Sequence, residues 1–315
     1  MARTAIAHPN IALVKYWGKA EGPGNVPATP SLSITLDGFR SRTTVDSLPA
    51  GASDQIYLND KAVEDAKINA WLTDLRTQHS VPALTIRSDN NFPTASGLAS
   101  SASGFAALVC AINAECALGL DRTQLSIWAR RASASAARSL CEGFATLCAP
   151  QWAAEPLRDC DDWPLKVVVA ITSKGPKGVS SSIGMAASKQ TAPYFDSWTQ
   201  TTAADFERAQ AAVAAKDFAA LASVAEQSCL RMHALMLATT PPLIYWQPAT
   251  LACIAEVQRL QSVNVPVFFT IDAGPQVKAV CLPEAAEQVA AALGVVAGVL
   301  DTHILGLGRG ARLEQ

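Results

Sequence analysis

Residues 91–105 read NFPTASGLASSASGF, and apart from Asn91, Phe92, Leu98 and Phe105 every side chain there is that of Ala, Gly, Ser, Thr or Pro. The stretch follows the strand-like ALTIRSDN and runs into Ser101 to Leu118, an apolar segment of small residues whose length suits a buried helix. Its N–H groups would therefore lie at a helix N-terminus, where unpaired donors and the helix dipole favour an anion such as phosphate. Gly97 permits a tight backbone, and the hydroxyls of Ser100, Ser101 and Ser103 can reach phosphate oxygens or a magnesium shell. The spacing is neither that of a P-loop nor that of the dinucleotide fingerprint. The same small residues would also let a helix pack closely against its neighbour, so composition alone leaves both readings open.

The bounds around this loop are those of an ordinary globular chain. It has 315 residues, 50% hydrophobic and 17% charged, enough for one large domain or two smaller ones. A formal net charge of −2 without a dense Lys/Arg run excludes the electrostatic footprint of a nucleic-acid binder. No apolar run approaches the ~20 residues that span a bilayer, so the expectation is a cytoplasmic chain without a membrane segment. The eight cysteines contain no C-x-x-C pair, which speaks for reduced, mostly buried thiols rather than a zinc site or disulfide framework.

Along the chain, strand-like and helix-like segments alternate. TAIAHPNIALVKYW and SLSITLDGFRSRTTV read as strands around the loop EGPGNVPATP, and DKAVEDAKINAWLTDLRTQ carries a helical apolar stripe from Ala62 to Leu75. TQLSIWARRAS reads as a helix, GFATLCA as a strand, and Pro150 to Pro164 as a turn-rich passage leading to the strand LKVVVAITS. A soft domain boundary is expected there, between 1–165 and 166–315. The second half offers a helix at Ser181 to Lys189, a helical tract from Ala203 to Leu237 broken near Asp217, and a helix at Ala249 to Ser262. The strands VPVFFTIDAG and QVKAVCL and a helix from Pro283 to Leu293 follow. Strands mixed with helices on this scale imply an α+β fold.

Three further stretches bear on chemistry. ALVKYWGK ends an apolar strand in Lys15, Tyr16, Trp17, Gly18 and Lys19, gathering two cations and a phenol at one strand end; such a cluster is also common on a solvated face. SASAARS brings Ser133, Ser135 and Ser139 beside Arg138, whose guanidinium can bind a carboxylate or phosphate in bidentate fashion, although a serine-capped helix start reads similarly. TIDAGPQ puts Asp272 at the end of a very apolar strand, where a carboxylate either shapes a turn or serves as general base or orienting group.

Taken in order, PTASGLASSAS (Pro93 to Ser103), ALVKYWGK, SASAARS, VSSSIGM (Val179 to Met185) and DAGP resemble the GHMP small-molecule kinases, and within them the diphosphomevalonate decarboxylase branch. The resemblance runs from about Ile6 to Asp272. It implies a two-part GHMP kinase fold with the catalytic cleft between the subdomains. It also implies ATP and magnesium as cofactors and mevalonate 5-diphosphate as the small-molecule substrate, converted to isopentenyl diphosphate with release of ADP, phosphate and carbon dioxide. A homodimer is a further expectation from the resemblance.

By the same resemblance, Asp272 takes or orients the hydroxyl proton, Arg138 holds the substrate carboxylate, and Lys15 sits near the reacting centre. Tyr16, Trp17, Gly18, Lys19, Lys67, Ser133, Ala134, Ser135, Ala136, Ala137 and Ser182 are expected against the substrate. Pro93, Ser96, Gly97, Leu98, Ala99, Ser100, Ser101 and Ser103 are expected around ATP, with Ser101 toward magnesium. Two departures stand out: Ala134 replaces a family glycine, and Glu142-Gly143 replaces a glycine pair, which is expected to bring negative charge near an anionic site. The alternatives are a phosphomevalonate decarboxylase or mevalonate-type kinase of the same branch, and a non-catalytic GHMP-fold metabolite binder. Asp272 and Arg138, both present, speak against the last.

Overall fold

The protein is described from a computed structural model covering residues 2–92, 100–175 and 178–314. The first apolar segment folds as two strands, β1 (Arg3–Ala7) and β2 (Asn10–Val14), because Pro9 has no N–H to continue a ladder. The corner is held by His8, whose Nδ1 lies 2.8 Å from the Phe39 carbonyl oxygen. Then come β3 (Ser31–Thr35), β4 (Ser41–Ser47), β5 (Gln55–Leu58), β6 (Lys61–Ala62), α1 (Ala66–Arg76) and β7 (Leu84–Asn90). Asp65 caps α1 by accepting from the Lys67 and Ile68 N–H groups. α2 (Ser100–Glu115) and α3 (Arg122–Ala132) precede a 3-10 helix at Ala134–Leu140, then β8 (Phe144–Leu147) and β9 (Ala154–Arg158).

β9 lies inside the stretch read as turns. Its Pro156 hides it from a strand pattern, and the structure tolerates that proline because β9 is an edge strand, paired only to β8. After β10 (Lys166–Ile171) come α4 (Ser181–Thr191), α5 (Phe195–Ala215) and α6 (Phe218–Leu237). The expected break at Asp217 is present: its side chain caps α6 by accepting from the Ala220 N–H, while α5 begins at Phe195, earlier than expected. α7 (Pro248–Ser262), β11 (Val267–Thr270), β12 (Val277–Cys281), α8 (Ala286–Gly294), β13 (Asp301–Leu305) and β14 (Arg312–Leu313) complete the chain.

Among the described residues the strands form three sheets, ordered β14-β1-β4-β7-β5-β6, β2-β3-β8-β9 and β11-β12-β10-β13. Among these strands all pairings are antiparallel except β5 with β7. α2 packs across β1 and β4, burying Ala106, Val109 and Ile112 among Val45, Leu84 and Ile86. After Lys166, β10 is apolar from Val167 to Ile171 because it is buried on both faces. Val168 and Ala170 meet Cys253 and Val257 of α7 and Val289 of α8, whereas Val167, Val169 and Ile171 turn into a second core. That second core also takes Ile11, Leu13, Leu32 and Ile34 from β2 and β3, and Phe206, Leu221 and Val224 from α5 and α6. Both halves of the chain thus share one apolar interior, and the ends of β2 and β11 are brought side by side, where Thr270 Oγ1 donates to the Ala12 carbonyl at 3.2 Å.

The C-terminal segment ties the halves from outside. β13 pairs with β10, Leu307 bridges to Leu36, the Gly308 N–H donates to the Thr35 carbonyl at 2.8 Å, and β14 adds to β1. A Cβ on Gly308 would overlap the Leu36 carbonyl oxygen, so the segment can lie this close only without a side chain. Gly308→Ala is therefore expected to lower stability by about 2 kcal/mol, read as a shift in urea midpoint; an unchanged midpoint would show that the segment yields freely.

Candidate active site

β2 ends at Val14, and the next residue, Lys15, is a lysine only 1% exposed. β11 ends at Thr270, and two residues on stands Asp272, whose carbonyl accepts from the Gly274 N–H at 2.7 Å, closing the turn that DAGP promised. Lys15 Nζ donates to Asp272 Oδ1 at 2.6 Å, and Lys278 Nζ donates to Oδ2 at 3.2 Å. Lys278 belongs to β12 and pairs across from Thr270. Burial by itself would push the Asp272 carboxyl up, but the two ammonium groups outweigh it and hold the acid well below the usual carboxylate range. Burial lowers the Lys278 ammonium, with Asp272 opposing.

α6 supports this group from beneath. The Lys15 N–H donates to Ser228 Oγ at 2.9 Å and the Ile271 N–H to Cys229 Sγ at 3.2 Å, so one helix holds the backbone on both sides of the ion pair. A turn further on, Trp246 Nε1 donates to His233 Nε2 at 3.3 Å, and burial, helped by the Lys15 charge, lowers the His233 imidazole to about 3.

Above the pair opens a cavity of about 800 Å³. Arg138 reaches it from the 3-10 helix; its side chain is 2% exposed, Nη1 donates to Ser31 Oγ at 2.7 Å, and Nε has no hydrogen-bond partner among the described residues. Burial draws this guanidinium down to about 10 and pushes the neighbouring Tyr16 phenol up to about 12, each group partly opposing the other's shift. At neutral pH Arg138 is therefore charged and Tyr16 is not. Asn10, also on the cavity wall, donates through Nδ2 to the Ser135 carbonyl and to Ser139 Oγ, both at 2.8 Å. Its Oδ1 is buried without a partner among the described residues.

Toward the mouth, Lys19 Nζ donates to Asn25 Oδ1 at 2.6 Å and to Ser182 Oγ at 3.4 Å, and burial lowers its ammonium. Asn25 Nδ2 in turn donates to the Arg131 carbonyl at 2.5 Å, joining the loop after β2 to the end of α3. Lys67 stands over the Phe105 ring, 4.8 Å from its centroid, and burial lowers it too. Ser100 and Ser101 open α2 on the same cavity, with Ser101 Oγ 3.5 Å from Ser133 Oγ.

The structure thus brings Lys15, Tyr16, Trp17, Lys19, Lys67, Ser100, Ser101, Ser133, Ala134, Ser135, Arg138, Ser182 and Asp272 to one cavity. Others stand apart from its wall. Gly18 has φ of +112° and packs under Phe195, whose ring a Cβ would meet at 2.6 Å, so glycine is needed for the turn. Ala136 and Ala137 are wholly buried in apolar clusters, and Ser103 Oγ, wholly buried, is 2.7 Å from Ser41 Oγ rather than turned to a ligand. Trp17, although on the wall, spends its Nε1 on Ser188 Oγ at 2.9 Å, and its carbonyl accepts from Trp198 Nε1, tying the strand end to α4 and α5. Pro93, Ser96, Gly97, Leu98 and Ala99 lie outside the described residues. Glu142 does not bring its charge to the cavity: Arg309 of the C-terminal segment donates to it at 2.9 Å.

Lys278, Asn10 and Asn25 are among the groups at the site that escaped the sequence reading, as are Asp74 and Arg131 on the cavity wall. A lysine between Val277 and Ala279 in a strand buried on every residue was the available signal for the first; Asn10 and Asn25 resemble any strand-edge or turn asparagine. Among the described residues no group of three or more His, Cys, Asp or Glu side chains is placed to hold a metal. The oxygens of Ser100 and Ser101 at a helix N-terminus suit magnesium arriving with a nucleotide, since that ion keeps waters and shares phosphate oxygens rather than needing an all-protein cage.

Comparison with known proteins bears on this site. The family model described as the diphosphomevalonate decarboxylase-like N-terminal domain matches residues 7–154, and that of the mevalonate 5-diphosphate decarboxylase C-terminal domain matches 167–303. A diphosphomevalonate decarboxylase of Candida albicans is 35% identical over 295 residues, 84% of this chain and 80% of that protein. The crystal structure of mevalonate diphosphate decarboxylase from Staphylococcus aureus superposes with a TM-score of 0.93 at 33% identity, covering 100% of this chain and 98% of its own. A structure described as MDDEF in complex with MVAPP, AMPPCP and magnesium gives a TM-score of 0.92 at 34% identity, covering 100% and 99%.

The buried imidazole beneath the ion pair has a consequence for stability. A histidine whose folded pKa lies below its unfolded value is charged in the unfolded chain first, so stability falls as pH drops below about 6.5. Between pH 7 and pH 5 the His233 contribution is expected to cost about 2 kcal/mol. Urea unfolding at the two pH values checks this: the loss should shrink in His233→Gln, and an equal loss in both proteins would assign it to other groups.

Proposed function

The chain belongs to the diphosphomevalonate decarboxylase family, and on that premise we propose that its cavity carries out the ATP-dependent decarboxylation of mevalonate 5-diphosphate to isopentenyl diphosphate. The observation that carries the reading at this site is a carboxylate held ionised between two buried ammonium groups, Lys15 and Lys278, in the same cavity as the buried guanidinium of Arg138.

The chemistry asks for such a site. A tertiary alcohol leaves poorly, but once phosphorylated it departs as phosphate. The electron pair of the bond to the carboxylate carbon then forms the alkene as carbon dioxide is released. When bound, magnesium-ATP supplies the phosphoryl group, the metal offsetting charge on its oxygens. Ser100 and Ser101 at the start of α2 are the residues suited to hold it, Ser101 toward the metal.

Asp272 then accepts a hydrogen bond from the substrate hydroxyl. Because Lys15 and Lys278 hold its acid low, it is a weak base: it orients the hydroxyl for in-line attack rather than removing the proton beforehand. A loose phosphoryl-transfer transition state needs little more than this positioning. Arg138 presents its guanidinium to the substrate carboxylate, holding it until the carbon–carbon bond breaks. Lys19, Tyr16 and Ser182 face the diphosphate, with Asn25 fixing the Lys19 ammonium.

Residues 1–165 and 166–315 are read as the two halves that supply opposite sides of the cavity. No helix among the described residues is long and apolar enough to cross a membrane. A cytoplasmic homodimer is the reading that the family resemblance supports, and sedimentation analysis tests its assembly.

The test of function is incubation with magnesium-ATP and mevalonate, mevalonate 5-phosphate or mevalonate 5-diphosphate, measuring ADP and carbon dioxide together. Equal yields from the diphosphate are expected; ADP without carbon dioxide would make the protein a kinase, and neither product would overturn the reading. Arg138→Lys, which loses the bidentate fork, is expected to lower kcat/KM by about 100-fold. A near-native value would return Arg138 to a packing role.

A further inference from the structure

Lys278 is a buried cation in an otherwise apolar strand. It is 1% exposed in an interior strand, flanked by the buried Val277 and Ala279, and it does not line the cavity. An apolar side chain of similar volume would fill that space without the cost of desolvating an ammonium, so packing alone does not call for a cation there. Its Nζ meets Asp272 Oδ2 at 3.2 Å, on the oxygen that Lys15 leaves free.

The two lysines are not equivalent. Lys15 and Asp272 both line the cavity, and Lys278 approaches the same carboxylate from the strand behind. A carboxylate held at one oxygen retains a broad torsional well, because rotation about an sp³–sp² bond is weakly restricted. A second contact on the other oxygen removes that freedom. It also alters the balance of charge: two ammonium groups against one carboxylate leave a net positive charge beside that of Arg138, which favours an anionic ligand.

We propose that Lys278 is a positioning residue for phosphoryl transfer, pinning Asp272 Oδ2 from behind so that Oδ1 and the Lys15 ammonium stay turned to the substrate. The inference rests on the decarboxylase reading for its catalytic half and on the Asp272 contact for its structural half. Because Lys278 stands off the cavity wall, its loss is felt in turnover and not in substrate affinity.

The test takes four proteins: wild type, K278M, D272N and K278M/D272N. In K278M, kcat for carbon dioxide release from mevalonate 5-diphosphate is expected to fall about 10- to 100-fold while KM stays within about threefold. In thermal unfolding, D272N should lower Tm less in the K278M background than in wild type, since fewer buried cations are then left without an anion. A kcat within about twofold of wild type, a rise in KM that accounts for the whole loss, or equal Tm losses in both backgrounds would overturn the proposal. Should wild type release no carbon dioxide, the functional reading falls, and the Tm cycle still decides whether Lys278 holds Asp272. If K278M does not fold, K278Q takes its place in the same cycle.

Discussion

A single partly buried carboxylate held between two buried ammonium groups is the constraint around which this molecule is arranged. Removing such charges from water is costly, and their mutual attraction repays it only if the geometry is closely held. The protein meets that demand with backbone. Lys15 follows directly on β2, Asp272 closes the turn after β11, Lys278 sits in an interior strand, and α6 accepts the N–H groups of Lys15 and Ile271 through Ser228 and Cys229. These supports come from three separate stretches of the chain: Lys15, the Ser228-Cys229 pair of α6, and the segment from Ile271 to Lys278.

The shared apolar core makes this arrangement possible. β2 and β3 from the first half and β10, β11 and β12 from the second bury side chains in one interior. The strand ends that carry Lys15 and Asp272 are therefore set by packing rather than by a flexible hinge. The C-terminal segment adds to this by crossing from β10 to β1 over Leu36, and Arg309 on the way neutralises Glu142. That contact answers the concern raised by the Glu142 substitution: the charge is turned outward, and Ala134 is the departure that does line the cavity.

Much of the fold was legible where a segment states its own preference. The helix read from Ser101, the helix break at Asp217 and the apolar strands around Val168 and Phe268 follow from periodicity, capping chemistry and composition over neighbouring residues. β9 was missed because Pro156 erases the strand pattern that its edge position allows, and β5, β6 and β14 are short pieces whose identity depends on finding a partner. In the site, Lys15, Arg138 and Asp272 declared themselves as charged groups at the ends of apolar or small-residue runs. Ser103, Ala136 and Ala137 carried the same local signal and yet turn into packed interior, since a motif gives the order of residues and not the direction in which each side chain points.

By itself, then, the sequence determined the α+β class, the helix N-terminus able to face an anion, and the short runs in which reactive groups are embedded, all of which rest on interactions within a few residues. Tertiary structure alone decided which of those groups meet. Lys15 and Asp272 are 257 positions apart, and Asn10 reaches Ser139 across 129. Whether a charge in the sequence becomes a solvated surface group or a buried partner depends on which distant strand packs against it. No local pattern carries that information, which is why Lys278, the cation behind the carboxylate, became visible only in the folded chain.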